Sequence, residues 1–99
     1  MKLVRDNIPE IINSSGKKCK FHYASEEEFK ACLFEKVREE LDEFIEKPSV
    51  EEAADIYEVF TEVLFAHGIK LETVKHYAEF KRFERGGFKA RIILEEVSN

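Results

Sequence analysis

The sequence has few of the features that mark several protein classes. It contains only 2 cysteines among 99 residues, Cys19 and Cys32. That is too few for a disulfide framework, and they lack the C-x-x-C spacing of zinc and redox sites. Both are read as ordinary thiols, with Cys32 buried. No apolar run approaches the ~18 residues needed to cross a bilayer. The opening Met1-Lys2-Leu3-Val4-Arg5-Asp6 places charges where a secretory signal has its apolar stretch. The expectation is therefore a cytoplasmic protein with no membrane partner. A formal net charge of −5 and no concentrated basic run argue against nucleic acid as the main partner. There is no Gly-rich phosphate loop, nucleophile elbow or catalytic Cys-His pair. Neither a repeat nor a linker divides the chain, which reads as a single domain over residues 1–99.

Aromatic residues and unevenly placed charge are what the chain does have. Nine Phe and 3 Tyr in so small a domain suggest apolar surface left over for self-association, because short chains bury a smaller share of their surface. Residues 26–62 hold 14 acidic against 4 basic side chains, leaving a net +5 on the remainder. The basic excess lies at both ends, from Lys2, Arg5 and Lys17 to Lys81, Arg82, Arg85, Lys89 and Arg91. An acidic middle between basic flanks suits a ligand that is both metal-bound and anionic; on charge alone, a solvated helix face with scattered lysines is the plainer account.

Ser25-Glu26-Glu27-Glu28 has the form of a capping box, and Phe29, Leu33, Val37, Leu41 and Phe44 follow at helical spacing. A helix is predicted over 26–47. After Pro48, Ser49-Val50-Glu51-Glu52 repeats the capping signal, and a second helix is predicted over 50–66, ending at Gly68. A third is predicted over 70–85, before Gly86-Gly87. The N-terminal segment reads as extended to Asn7 with a helical turn after it, around Pro9. The stretches Lys18 to Tyr23 and Arg91 to Leu94 admit short strands. The fold class is thus mainly α: an antiparallel helix hairpin plus a third helix, short strands possible at the ends, in a bundle completed by oligomerisation.

The acidic residues of the hairpin carry the chemistry. With Phe29 set at zero, ~100° per residue places Leu33, Val37, Phe44 and Leu41 between roughly 40° and 120°, and Lys36, Glu40 and Glu43 at roughly 340°, 20° and 320°. Glu40 therefore falls inside the apolar stripe and Glu43 on its border. A carboxylate buried there needs a cation, a proton or a water-filled cleft. On the next helix Glu52 lies on the edge of a wide apolar face and Asp55 just outside it. Measured from Pro48, Glu43 and Glu52 lie ~7.5 and ~6 Å along the axes, Glu40 and Asp55 ~12 and ~10.5 Å. An antiparallel hairpin would bring the four together at two matching levels. Hard oxygen donors of this kind select Mg²⁺ or Mn²⁺. The Glu-x-x-His of di-iron bundles and the twelve-residue calcium loop are both missing. Glu-rich helices also produce this spacing without a metal.

Lys36-Val37-Arg38-Glu39-Glu40-Leu41-Asp42-Glu43, followed by Glu52-Ala53-Ala54-Asp55, resembles the EExxE and ExxD signature of the all-α nucleoside triphosphate pyrophosphohydrolases. This is the MazG-like group that also contains phosphoribosyl-ATP pyrophosphohydrolase. Lys2-Leu3-Val4-Arg5-Asp6-Asn7-Ile8-Pro9 and Arg85-Gly86-Gly87-Phe88 resemble the opening and closing segments of its small single-domain members. Eight residues separate Glu43 from Glu52, fewer than in the larger members, so base specificity is not carried over.

The resemblance implies a hydrolase that releases a nucleoside monophosphate and pyrophosphate. Glu40, Glu43, Glu52 and Asp55 would hold Mg²⁺, with Mn²⁺ as a substitute, and Glu39 would either support the ligands from behind or act, alongside Glu40, as the base that orients water. Lys36 is a candidate phosphate contact or the salt-bridge partner of Glu40. Arg5, Arg82, Arg85 and Lys89 are further phosphate candidates that read equally as surface charges. Homodimers or dimers of dimers would complete the bundle. The alternatives are a phosphoribosyl-ATP pyrophosphohydrolase and a non-catalytic helical dimerisation or binding module.

Overall fold

A computed structural model describes residues 1–99. It contains four helices and no strand: α1 (Ile8–Ser14), α2 (Glu26–Glu46), α3 (Val50–Ala66) and α4 (Leu71–Arg85). The mainly α class holds, and the helix bounds predicted from periodicity and capping agree to within a residue at each end. Pro9 lies in the first turn of α1, where its missing N–H costs no hydrogen bond. No helix is long and apolar enough to cross a membrane.

The two serine caps form as the sequence indicates. Ser25 Oγ accepts from the Glu28 N–H at 3.2 Å, and Ser49 Oγ from the Glu52 N–H at 3.1 Å. Each satisfies an amide that the first turn leaves without an intrahelical partner. Lys47, Pro48 and Ser49 connect α2 to α3, and a link that short returns the chain antiparallel. α2 and α3 pack along each other as the hairpin. Gly68 takes φ +68 just beyond α3, a left-handed conformation that glycine adopts without strain. His67 donates from Nδ1 to the Val63 carbonyl at 2.8 Å, closing that helix end.

The chain forms two compact units, Met1–Gly68 and Ile69–Asn99. In the first, Leu33 and Leu64 are buried, and Phe29, Val37, Phe44, Ile56, Val59 and Val63 are half-buried around them. Cys32, expected to be buried, is half-buried, and Leu41, at the far edge of the stripe, is 46% exposed. The second unit consists of α4, which buries no residue, and an irregular tail.

The strands that the sequence admitted at Lys18 to Tyr23 and Arg91 to Leu94 do not form. A strand is stable only when another pairs with its backbone, and neither segment has such a partner. Arg91 also turns to φ +58 and donates its N–H to the Phe88 carbonyl, which breaks the extended run before Ile92.

Candidate metal centre

Glu40 sits in the second turn from the end of α2 and points into the hairpin, where its side chain is 9% exposed. Glu52 and Asp55 are half-buried on α3, three residues apart and so on one face. One carboxylate oxygen from each of the three lies within 4.8 Å of the other two. Ligands held 2.0–2.6 Å from a shared ion are themselves about 4 to 5 Å apart at most, so the spacing fits a small divalent cation.

The polar satisfaction of the cluster is incomplete. Glu40 Oε2 and Glu52 Oε2 are both buried without a hydrogen-bond partner. Burial raises the Glu40 pKa above the ordinary 4.5; the charges of Glu43 and Asp55 push it the same way, and Lys36 opposes them. Buried oxygens that lack donors, on carboxylates that repel one another, are the condition a divalent cation relieves. Three carboxylates gathered in this way could hold a metal ion.

The structure divides the remaining site candidates. Glu43 is exposed and lies outside the group of three, although its charge bears on Glu40. Its place on the border of the stripe turns it to solvent one helical turn from a buried neighbour. Lys36 takes the salt-bridge role, with Nζ 3.5 Å from Glu40 Oε1 and 3.4 Å from Glu39 Oε1. Glu39 is half-buried beside it. Arg5 Nη2 donates to Asp55 Oδ1 at 2.8 Å. Arg82, Arg85 and Lys89 belong to the second unit, exposed and without ion-pair partners. The Gly86 N–H donates to the Arg82 carbonyl at 2.9 Å, so Gly86 acts as a helix cap.

One feature lies beyond the residue patterns. The residues Leu3 to Ile8, with Ile11, form a cleft of about 550 Å³ with Phe29, Leu33 and Lys36 of α2 and Glu58, Val59 and Glu62 of α3. Arg5 and Lys36 both line it, so the cleft borders the carboxylates that these two cations hold. The basic opening of the chain is the only sequence signal for it.

Compared with known proteins, the chain matches no family model, no curated protein and no solved structure.

Proposed function

We propose that this chain is a Mg²⁺-dependent nucleotide pyrophosphohydrolase, cleaving nucleoside triphosphates, non-canonical ones included, to a monophosphate and pyrophosphate. The observation that carries this reading is the gathering of Glu40, Glu52 and Asp55 from two helices with two buried oxygens lacking partners. The segments that resemble the MazG-like group supply the reaction class. Glu40, Glu52 and Asp55 are assigned as the ion's ligands, with Glu43 beside them. Bound there, the ion would offset charge on phosphate oxygens and acidify a water. Glu39, 3.4 Å from the same Lys36 that approaches Glu40, is assigned as the group that orients that water or accepts its proton. Arg82, Arg85 and Lys89 remain phosphate contacts by resemblance. Phe34, Tyr57, Phe60 and Phe65 are each at least 40% exposed on the hairpin, apolar surface that a homodimer or a dimer of dimers would cover. A nucleotide-clearing reaction belongs in the cytoplasm.

The test is pyrophosphate release with Mg²⁺ across canonical and modified nucleoside triphosphates and phosphoribosyl-ATP. Glu40→Ala and Asp55→Ala are expected to lower turnover about 10³-fold, the scale of several kcal/mol of lost charge stabilisation. Near-normal turnover in both variants sinks the assignment.

A second reading, a non-catalytic helical module, draws support from the pairing of Asp55 with Arg5 and of Glu40 with Lys36. Melting separates the two. A cation that binds only the folded state at 100 times its Kd should raise Tm by roughly 10 °C in a chain of this size. An unchanged Tm together with silence across the panel favours the module.

A further inference from the structure

The cleft beside the N-terminal segment has apolar walls, Ile8, Phe29 and Val59 among them, and five charged side chains on its lining. Two of these are engaged elsewhere, Arg5 with Asp55 and Lys36 with Glu39 and Glu40. The other three, Asp6, Glu58 and Glu62, are exposed and have no cationic partner. Glu58 and Glu62 stand one helical turn apart on α3, so both lie on the same face. The uncompensated charge of the cleft is therefore negative, and what fits it is a segment that is basic and apolar at once.

The chain itself carries such a segment. Beyond α4, Phe88, Ile92, Ile93 and Leu94 are each at least 76% exposed. Lys89 and Arg91 lie between them, exposed and without ion-pair partners. Large apolar side chains so close together in the sequence differ from the scattered exposure of an ordinary surface. Arg91 is also the one non-glycine residue at positive φ, +58, and its N–H bond to the Phe88 carbonyl at 3.1 Å closes a turn. A long side chain in that left-handed conformation persists where its surroundings hold it. Here the turn is exposed, so the surroundings that hold it come from another molecule.

We propose that residues 88–94 of a second copy dock in this cleft, with Phe88 and the Ile92–Leu94 run against its apolar walls and Lys89 and Arg91 on Asp6, Glu58 and Glu62. A second copy is favoured over a foreign partner because each chain carries both halves of the contact. Two copies that exchange these segments use each half once and close a two-fold dimer. The contact involves neither the acidic triad nor the exposed aromatic residues of the hairpin, so it stands whether or not the chain is an enzyme. In the docked state Lys89 pairs with a carboxylate and not with phosphate.

The experiment is sedimentation velocity of the full chain over a concentration series, with two charge-reversed variants. One carries Glu58→Lys with Glu62→Lys, the other Lys89→Glu with Arg91→Glu; all four positions are exposed, and circular dichroism checks that both variants fold. Each variant alone sets like charges against each other and is expected to raise the dimer Kd about 10-fold or more. The first also brings the net charge of −5 nearer zero, which by itself promotes association, so a weaker dimer there reads the contact and not the overall charge. Mixed in equal amounts, the two variants restore opposite charges at both contacts and should recover the Kd of the unaltered chain to within about 3-fold. Phe88→Ser should weaken the dimer with every charge in place. An unaltered chain that stays monomeric overturns the second copy as occupant. A dimer whose Kd neither charge variant moves is built on another surface and overturns the proposal. Weakening in each variant without recovery in the mixture means that the segment does not pass between copies, and overturns it as well.

Discussion

The α2–α3 hairpin and α4 are built from similar material, charged helices with apolar residues at helical spacing, yet they end in different states. The hairpin buries Leu33 and Leu64 and draws Glu40 in with them, while α4 buries nothing and leaves Phe83 90% exposed. Periodicity is enough to make a helix, but burial requires a second surface shaped to receive the stripe. The contrast extends to charge. In the hairpin, acidic groups lose water and come to need partners; on α4, Arg82 and Arg85 remain solvated and need none.

The largest effect expected from this difference is in packing. Leu33→Ala should cost about 2 to 5 kcal/mol, because Leu33 is 2% exposed and its removal leaves a cavity. Phe83→Ala should stay within roughly 0.5 kcal/mol. Urea unfolding of both variants measures the gap. A loss at Phe83 comparable to that at Leu33 would mean that the apolar face of α4 is covered in solution.

The caps offer a smaller contrast of the same kind. Ser49→Ala should cost about 1 kcal/mol, since Ser49 Oγ accepts from the Glu52 N–H. Lys70 begins α4 without a side-chain bond to the helix, so Lys70→Ser should recover up to about that amount. Thermal unfolding of the two variants should shift Tm in opposite directions. Parallel shifts would show that tertiary packing, rather than capping, holds the starts of these helices.

Much of the hairpin was legible because its signals are local. Serine caps, Pro48 and Gly68 set the ends of the helices, and the angle of about 20° from Phe29 identified Glu40 as an inward carboxylate. The axial estimate paired Glu43 with Glu52 at one level; the structure groups Glu52 with Glu40 and Asp55, while Glu43, though exposed, still acts on Glu40 through its charge and a side-chain hydrogen bond. Direction around the helix sets burial more than height along it, since a carboxylate turned about 60° from the stripe is the more exposed one at any level. The tie from Arg5 to Asp55 was not legible at all. It spans 50 positions and depends on how the N-terminal segment lies on the hairpin, which no periodicity encodes. The strand readings failed for a related reason, because a sheet needs a partner and β-branched residues alone do not specify one.

The smallest effect concerns Glu40 itself and is read by pH in metal-free protein held in chelator. Burial and the facing charges of Glu43 and Asp55 raise its pKa in the fold, while Lys36 acts against them. The folded chain therefore keeps a proton on Glu40 at pH values where the unfolded chain, near the ordinary 4.5, has released it. With more protons bound in the native state, this residue's contribution to stability is intact below pH 4.5 and falls as pH rises through the elevated folded value. Above that value the loss is constant. Glu40→Gln removes the ionisation while keeping the shape, and Lys36 retains Glu39 at 3.4 Å as a partner. The variant should melt higher than the unaltered chain at pH 7 and show a shallower decline between pH 4.5 and neutrality. No matching change is expected for Glu84→Gln on α4, whose carboxylate is exposed. A lower Tm for Glu40→Gln at pH 7 would mean that the carboxylate's attraction to Lys36 outweighs its loss of water. Glu40 would then be a structural ion pair rather than a strained ligand held ready for a metal.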